Sequence, residues 1–221
     1  MPGASRTAKR QRGPAPLFVF PANGNALEAL DCLGDAYSLL AFVDDTPAKQ
    51  AAGLAGHRVG GRALLDEHPD ARVLAVPGSP TSYRTRASVI AGLGLSDARF
   101  AQVIHPAARI SPLARLGHNL LVMAGVVVTS NAVIGSHVCI LPNTVVHHDA
   151  VIGDYTLVGS GVGVAGSVRI GRSCYIGSGT TLMNGIEIGD GALVGLGSTV
   201  IRDVPPGAVV AGNPARVLRR G

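Results

Sequence analysis

Two adjacent histidines precede an aspartate in the second half of the chain, as His147, His148 and Asp149. An imidazole titrates near neutral pH, so it can accept a proton from a reacting group. A neighbouring carboxylate can bond to the other ring nitrogen, fix the tautomer and stabilise the imidazolium. His148 and Asp149 are therefore candidates for a base and its orienting acid, and the structural alternative for Asp149 is an acid that caps a turn.

Polar residues also follow two apolar runs near the N-terminus. Asn23, Gly24 and Asn25 lie between a predicted strand and a predicted helix, a position that suits phosphate binding at a helix N-terminus. Asp44 and Asp45 follow the next predicted strand, and their structural alternative is a helix N-cap. The first segment is therefore a candidate phosphate-binding loop, although it contains a single glycine.

The elements that must position these residues have two different periods. Residues 16–103 alternate short apolar runs with helix-like stretches, which is typical of strand-helix-strand units on a parallel sheet. This length is about half that of a full dinucleotide-binding domain, so a small Rossmann-like module is predicted. Its predicted strands are residues 17–20, 37–43 and 73–76, and its predicted helices are residues 26–33, 62–65 and 85–93.

From Ile104 onward an aliphatic residue stands at every sixth position as far as Val200, seventeen times without a miss. Eight of these residues are followed directly by glycine, which we interpret as the place where the backbone turns. Three six-residue units close a triangular coil of eighteen residues, and such coils stack at roughly 4.8 Å per rung through parallel pairing. The sequence therefore predicts a β-solenoid of five to six coils.

The coil length predicts which outward residues are neighbours. Gly166, Asn184 and Arg202 follow His148 at intervals of eighteen residues, so the four should form one column. A glycine beside the candidate base would leave a notch for a ligand, and the structural alternative is a glycine that serves the corner dihedrals alone.

Composition excludes several classes of protein. The chain has 221 residues, 47% of them hydrophobic, but no Trp and only 4% aromatic residues, so it lacks the signature of base-stacking nucleic-acid modules. Three cysteines without a CxxC spacing indicate a reducing compartment. Neither a signal peptide nor a membrane span is evident. We expect a cytoplasmic protein that neither binds nucleic acid nor inserts into a membrane.

The unbroken hexads, the segment VVHHDAVIGD at residues 145–154 and the ending VVAGNPA at residues 209–215 resemble the hexapeptide-repeat acyltransferases. The whole of residues 16–219 is similar to the sugar acetyltransferases that include sialic acid O-acetyltransferases and nucleotide-activated 4-amino-sugar N-acetyltransferases. The resemblance implies a left-handed parallel β-helix and a homotrimer with acetyl-CoA between adjacent prisms. The predicted domains are a disordered basic tail (1–15), a Rossmann-like substrate-binding domain (16–103), the β-helix acyltransferase domain (104–205) and a C-terminal cap (206–221).

The resemblance also implies roles for individual residues. His148 matches the general base of the family and Asp149 the acid that orients it. Residues expected near the cosubstrate are Leu157, Gly166 and Leu196. Residues expected near the acceptor are Asn23, Gly24, Asn25, Asp44, Asp45 and His147. The sequence departs from the family pattern at Asn25, Leu141 and Leu157, where some members have His, Asn and His respectively.

These expectations combine into an acetyl-CoA-dependent N-acetyltransferase acting on the amino group of a nucleotide-linked amino sugar. The alternative within the same class is an O-acetyltransferase of a sialic-acid-like sugar. A zinc hydro-lyase built on the same prism would require a pair of histidines five residues apart, which the repeat lacks, so no metal is predicted. A non-catalytic scaffold is the remaining alternative.

Overall fold

The computed structural model describes residues 13–219, which begin with an α/β unit. A parallel sheet in the order β3-β2-β1-β4 forms its centre. The strands are β1 (Ala15–Phe20), β2 (Tyr37–Val43), β3 (Val59–Gly60) and β4 (Arg72–Ala75). The helices are α1 (Gly24–Glu28), α2 (Pro47–Ala52), α3 (Ala63–Glu67) and α4 (Arg86–Ala91), with short 3₁₀ helices at Ala29–Cys32, Tyr83–Thr85 and Asp97–Arg99.

The three predicted strands of this unit are confirmed, but the helices differ in detail. The predicted helix over 26–33 starts earlier, because Asn23 caps the amide of Ala26, and it continues as a 3₁₀ helix after Glu28. Both α2 and β3 were missed. No residue of α2 is buried and β3 has two residues, so neither produces an apolar pattern that a sequence shows.

The rest of the chain forms a β-helix with three sheets. The sheet that faces the α/β unit contains β5 (Gln102–Ile104), β8 (Leu120–Val122), β11 (Cys139–Ile140), β14 (Leu157–Val158), β17 (Tyr175–Ile176), β20 (Leu193–Val194), β22 (Val209–Gly212) and β23 (Ala215–Arg219). The six-stranded sheet contains β6 (Arg109–Ile110), β9 (Val127–Val128), β12 (Val145–Val146), β15 (Gly163–Val164), β18 (Thr181–Leu182) and β21 (Thr199–Val200). The five-stranded sheet contains β7 (Arg115–Leu116), β10 (Val133–Ile134), β13 (Val151–Ile152), β16 (Arg169–Ile170) and β19 (Glu187–Ile188).

The eighteen-residue coil predicted from the hexads is confirmed by the register of these sheets. Val145 pairs in parallel with Gly163, and Gly163 pairs with Thr181. The repeated aliphatic residues fill the interior, where most are fully buried. The hexads and the parallel sheets fit the predicted left-handed β-helix.

The glycines that follow the aliphatic residues are not turn residues, so that interpretation is wrong. A Cβ on Gly153 or Gly177 would lie 2.6 Å from backbone atoms of the next coil, which shows that these glycines permit close stacking. The left-handed backbone lies two residues further along, with φ of 58° at Asn131 and 60° at Asp149. Asn and Asp tolerate this conformation better than other residues with a side chain.

The α/β unit and the β-helix share a hydrophobic core. Leu17 and Leu74 pack in one cluster with Leu121 and Leu157 of the facing sheet. Arg86 is 1% exposed, and its guanidinium donates to the carbonyl oxygens of Pro77, His137 and Tyr155. Burial lowers the pKa of Arg86 to about 10. One face of the β-helix is therefore covered by the chain's own N-terminal unit.

At the far end of the β-helix, β22 pairs in parallel with β20, and β23 folds back antiparallel on β22. The predicted basic tail lies mostly outside the described residues, as do Arg220 and Gly221. Within residues 13–219, none of the helices is both long enough and apolar enough to span a bilayer.

Candidate active site

His148 and Asp149 form the predicted pair at the corner that follows β12. Nδ1 of His148 donates to Oδ2 of Asp149 over 2.8 Å, since an ionised carboxylate can only accept. The side chains are 60% and 51% exposed. The hydrogen bond from His148, followed by one from Asn131, lowers the pKa of Asp149. The arrangement leaves Nε2 of the imidazole free of the bond to Asp149.

Asn131 was missed in the sequence. It stands eighteen residues before Asp149, and its Nδ2 donates to Oδ1 of that carboxylate over 3.1 Å. Both residues have the left-handed backbone of a corner, with φ of 58° and 60°. The coil arithmetic that places Gly166 after His148 would also have placed Asn131 before Asp149.

Gly166 lies next to His148, as the column arithmetic predicts. A Cβ at this residue would lie 2.7 Å from both Cε1 and Nε2 of the imidazole. Its φ is not in the left-handed region, so the alternative of a glycine needed for corner dihedrals does not hold. The notch above Gly166 is where the imidazole itself rests, and Gly166 is buried beneath it.

One polar side chain of the predicted phosphate-binding loop already bonds within the protein. Asn23 accepts a hydrogen bond from the amide of Ala26 at 2.8 Å and donates to the carbonyl of Val76 at 3.2 Å, so its side chain caps α1. Gly24 is exposed and Asn25 is half-buried. Asn25 lines two neighbouring cavities between the α/β unit and the β-helix.

These cavities share Asn25 and Leu141 and differ in their other walls. The smaller, of about 200 Å³, has an apolar wall that includes Leu157 and Tyr175. The larger, of about 490 Å³, has a mixed lining that combines polar residues such as Glu28, Asp31 and His105 with apolar ones such as Met123 and Pro142. Leu141 and Leu157 thus make the cleft more apolar than the Asn and His of some family members would.

Both acidic residues after β2 are paired within the α/β unit. Asp44 accepts from the amide of Thr46 at 3.0 Å and from Nζ of Lys49 at 2.7 Å. Burial opposes its ionisation, but these hydrogen bonds outweigh burial and lower the pKa of Asp44. Asp45 accepts from the amide and the guanidinium of Arg62, and the amide bond is the largest cause of its lowered pKa. The N-cap of α2 is Thr46, not either aspartate.

One chain does not bring all the predicted residues together. The exposed His147 and His148 stand at one corner, and His148 lines neither of the two cavities. Leu157 lies in the smaller cavity. Leu196, which is 69% exposed, stands in another corner column with Ser160 and Ser178. The predicted cosubstrate residues therefore occupy three places on the surface of a single chain.

No group of three or more His, Cys, Asp or Glu side chains in residues 13–219 is arranged to hold a metal ion. Cys32, Cys139 and Cys174 are all buried and unpaired within this range. Burial raises the pKa of the Cys139 thiol to about 12, so this group is not a thiolate nucleophile at neutral pH.

Comparison with known proteins agrees with this architecture. The family model described as bacterial transferase hexapeptide (six repeats) matches residues 131–166. The acetyltransferase domain of PglB from Neisseria gonorrhoeae FA1090, solved with acetyl coenzyme A, is 29% identical with a TM-score of 0.80, and the match covers 93% of this chain and 100% of that chain. No curated protein matches the chain.

Two further solved structures are similar over nearly the whole chain. PerB from Caulobacter crescentus, in complex with CoA and GDP-perosamine, is 29% identical with a TM-score of 0.79, covering 92% of this chain and 96% of that chain. WeeI from Acinetobacter baumannii AYE is 27% identical with a TM-score of 0.79, covering 92% and 100%. These matches confirm the resemblance stated from the sequence, together with the predicted enzyme class and cosubstrate.

Proposed function

We propose that this protein, a hexapeptide-repeat sugar acetyltransferase that uses acetyl-CoA, acetylates the amino group of a nucleotide-linked amino sugar with His148 as the general base. The observation that carries the proposal is the 2.8 Å hydrogen bond between His148 and Asp149 beside Gly166. The acceptor class is supported by the similarity to PerB, which was solved with CoA and GDP-perosamine.

The geometry suits an imidazole that carries one proton from the amine to the leaving sulfur in two transfers. With Nδ1–H bonded to Asp149, Nε2 of His148 can take the proton of the attacking amine as a nitrogen–carbon bond forms at the thioester. The carbon–sulfur bond then breaks, and the same proton passes to the leaving sulfur, which departs as the thiol of CoA. Asp149 remains ionised and stabilises the imidazolium, in line with its lowered pKa.

The acceptor side of the site belongs to the α/β unit, which we treat as a Rossmann-like domain. Asn25 lines both cavities and is the foremost candidate for a contact with the nucleotide sugar. Asn23 and Asp44 already bond within the protein, so their role is to shape this edge of the sheet. His147 is exposed beside His148 and would contact the acceptor at the reacting end.

A homotrimer would join the separated parts of the site. The corner with His148 and the column that ends at Leu196 flank the same six-stranded sheet, so two copies packed through such faces can bring one of each together. The partly exposed side chains of Val127 and Val145 on this sheet, and of Val133 and Val151 on the five-stranded sheet, provide apolar surface for such packing. Acetyl-CoA would then lie between two copies.

The cellular compartment in which the protein acts is inferred from its cysteines and from its proposed substrates. Three buried cysteines without a disulfide in the described residues suit a reducing environment. Acetyl-CoA and nucleotide-linked sugars are the proposed substrates, so we place the reaction in the cytoplasm.

The experiment that tests the proposed function is a panel of acceptors. UDP-, dTDP- and GDP-linked amino sugars, each paired with the matching hydroxyl sugar, are incubated with acetyl-CoA while release of the CoA thiol is recorded. We expect release with an amino sugar and a product whose acetyl group survives mild alkali, as an amide does. Transfer to a sialic-acid-like hydroxyl, with an alkali-labile product, would instead establish the O-acetyltransferase.

The panel also separates an enzyme from a binding protein. A thermal-shift screen with the same nucleotide sugars identifies an acceptor that binds the folded chain, because such a ligand raises its apparent stability. Binding of acetyl-CoA and of a nucleotide sugar without any thiol release would contradict catalysis and support a non-catalytic scaffold.

A further inference from the structure

Asn184 lies on the side of Gly166 away from His148. A Cβ at Gly166 would be 2.7 Å from Nε2 of His148 and 3.3 Å from Nδ2 of Asn184. The three residues are stacked on successive coils, since Ser167 bonds to the carbonyl of His148 and Gly185 to the carbonyl of Gly166. The imidazole and the carboxamide therefore border the same small area of surface.

This area has hydrogen-bond donors without partners. At some corners, the backbone amide is bonded by a side chain eighteen residues on, as Ser136 is by Asp154 and Ser160 is by Ser178. Asn184 is the corresponding residue for Gly166, yet no acceptor in residues 13–219 bonds the amide of Gly166. The carboxamide of Asn184 is exposed and likewise has no partner in this part of the chain.

The chemistry beside His148 requires such donors. During acyl transfer, negative charge develops on the thioester oxygen, and a donor placed before the reaction stabilises it. The reacting carbon must lie within reach of the amine whose proton His148 accepts, so the thioester oxygen lies close to the imidazole. Because the imidazole itself rests on Gly166, a carbonyl oxygen at the edge of this area, beside Nε2, would be bordered by the carboxamide of Asn184.

We propose that Asn184 is a positioning residue for the acyl donor, whose Nδ2 donates to the carbonyl oxygen of the acetyl thioester beside His148. The inference rests on the proposed function, because it takes acetyl-CoA as the ligand at this corner. It assigns a side-chain donor beside the backbone amide of Gly166, which has no acceptor in residues 13–219. Asn184 also helps to distinguish the acyl thioester from the free thiol, which has no carbonyl to accept the bond.

The test compares acetyl-CoA with CoA in binding to Asn184→Ala. Because CoA lacks the thioester carbonyl, loss of the donor should weaken acetyl-CoA binding about fivefold and leave CoA binding unchanged within twofold, by titration calorimetry. The turnover number with the best acceptor should fall about tenfold. Glu187→Gln is the matched control, an exposed polar residue three positions further on, and should change neither affinity.

Each other outcome contradicts the inference in a recognisable way. Equal losses for acetyl-CoA and CoA would place Asn184 on the pantetheine arm rather than on the carbonyl. Lower thermal stability with both affinities unchanged would make Asn184 a structural cap for Gly166. If the unsubstituted protein binds neither ligand, the proposed function fails as well, whereas the first two results overturn the role of Asn184 alone.

Discussion

His118 and Asn119 occupy the same place in the repeat as His148 and Asp149, at another corner of the β-helix. In each pair the histidine stands two residues after an aliphatic residue, and its neighbour has a positive φ, 52° and 60° respectively. The surroundings differ. His118 has a side chain 29% exposed and stacks on Phe100, whereas the side chain of His148 is 60% exposed.

The neighbouring residue also bonds differently at the two corners. Asn119 is 1% exposed, accepts from the amide of Ala75 at 2.7 Å and donates to its carbonyl at 2.8 Å. An ionised carboxylate could not donate that second bond, so an amide is required where the α/β unit docks. Asp149 faces solvent and needs only to accept. The cover over a corner therefore decides whether the pair bonds to the α/β unit, as at His118, or stays exposed to solvent, as at His148.

A third histidine, His137, is buried beside His118 at the corner that the α/β unit covers. Its Nε2 is 3.1 Å from Nε2 of His118, and its ring stacks on Tyr155 with centroids 4.6 Å apart. Burial, followed by the nearby His118 and Arg86, lowers the pKa of His137 to about 4. This imidazole is neutral at pH 7 and acts as a packed, hydrogen-bonded group.

The largest effect is expected from changing what covers the exposed corner. If a second copy covers His148 as the α/β unit covers His118, Val145→Glu should convert a trimer of about 67 kDa, three times 22.4 kDa, into monomers and abolish activity, because it places a charge in an apolar interface. Light scattering with a parallel assay measures both. Leu40→Glu, at a residue 42% exposed on the α/β unit, is the control that should remain trimeric. A fully active monomer would contradict the shared site.

The next largest effect is a difference in kcat between variants of His148 and His118. His148→Ala should lower kcat at least about a hundredfold, or about 2.7 kcal/mol, with little change in acetyl-CoA affinity, because a base acts mainly in the transition state. His118→Ala, its counterpart under the α/β unit, should keep kcat within about threefold while lowering the thermal midpoint. Similar turnover for the two folded variants would remove His148 as the base.

The covered corner should also be visible in the pH dependence of stability. The pKa of His137 is lowered in the folded chain from 6.5 to about 4, so between these values the unfolded chain binds more protons. The contribution of neutral His137 to the free energy of unfolding is complete above pH 6.5. About 2 kcal/mol of it is lost as the pH falls toward 4. His137→Asn keeps a residue that tolerates the positive φ of 61° and should remove that part of the loss in urea unfolding at pH 7 and 4.5. If the stability of the variant depended on pH as that of the unsubstituted protein does, other titrating groups would cause the loss of stability.

The comparison of the two corners shows which features could be predicted from the sequence. The coil length, the filled interior and the contact between His148 and Gly166 were predictable, because each depends on a spacing of six or eighteen residues. The adjacency of His148 and Asp149 in the chain also made their hydrogen bond foreseeable. The partner Asn131 needed only the same arithmetic applied in the other direction.

The role of His118 could not be predicted in this way. Its cover comes from Phe100 and from Asn119 bonded to Ala75, contacts that depend on how the α/β unit docks. The same is true of Asp44, whose family match suggested a ligand contact but whose side chain bonds Lys49. Docking between distant segments leaves no period in a sequence, so the burial of a polar residue is recognised only in the folded chain.

The smallest expected effect converts the exposed pair into a copy of the covered one. Asp149→Asn gives the His148 corner the His–Asn pair found at His118, and asparagine tolerates the φ of 60° that Asp149 has. The carboxamide no longer attracts the imidazolium, and its NH₂ group can donate to Nδ1, which moves the ring proton to Nε2 and blocks the base. Since both side chains are half-exposed, we expect kcat to fall about tenfold with unchanged acetyl-CoA affinity and thermal midpoint. Steady-state kinetics measures this, and an unchanged kcat would leave Asp149 as the turn-capping acid of the alternative interpretation.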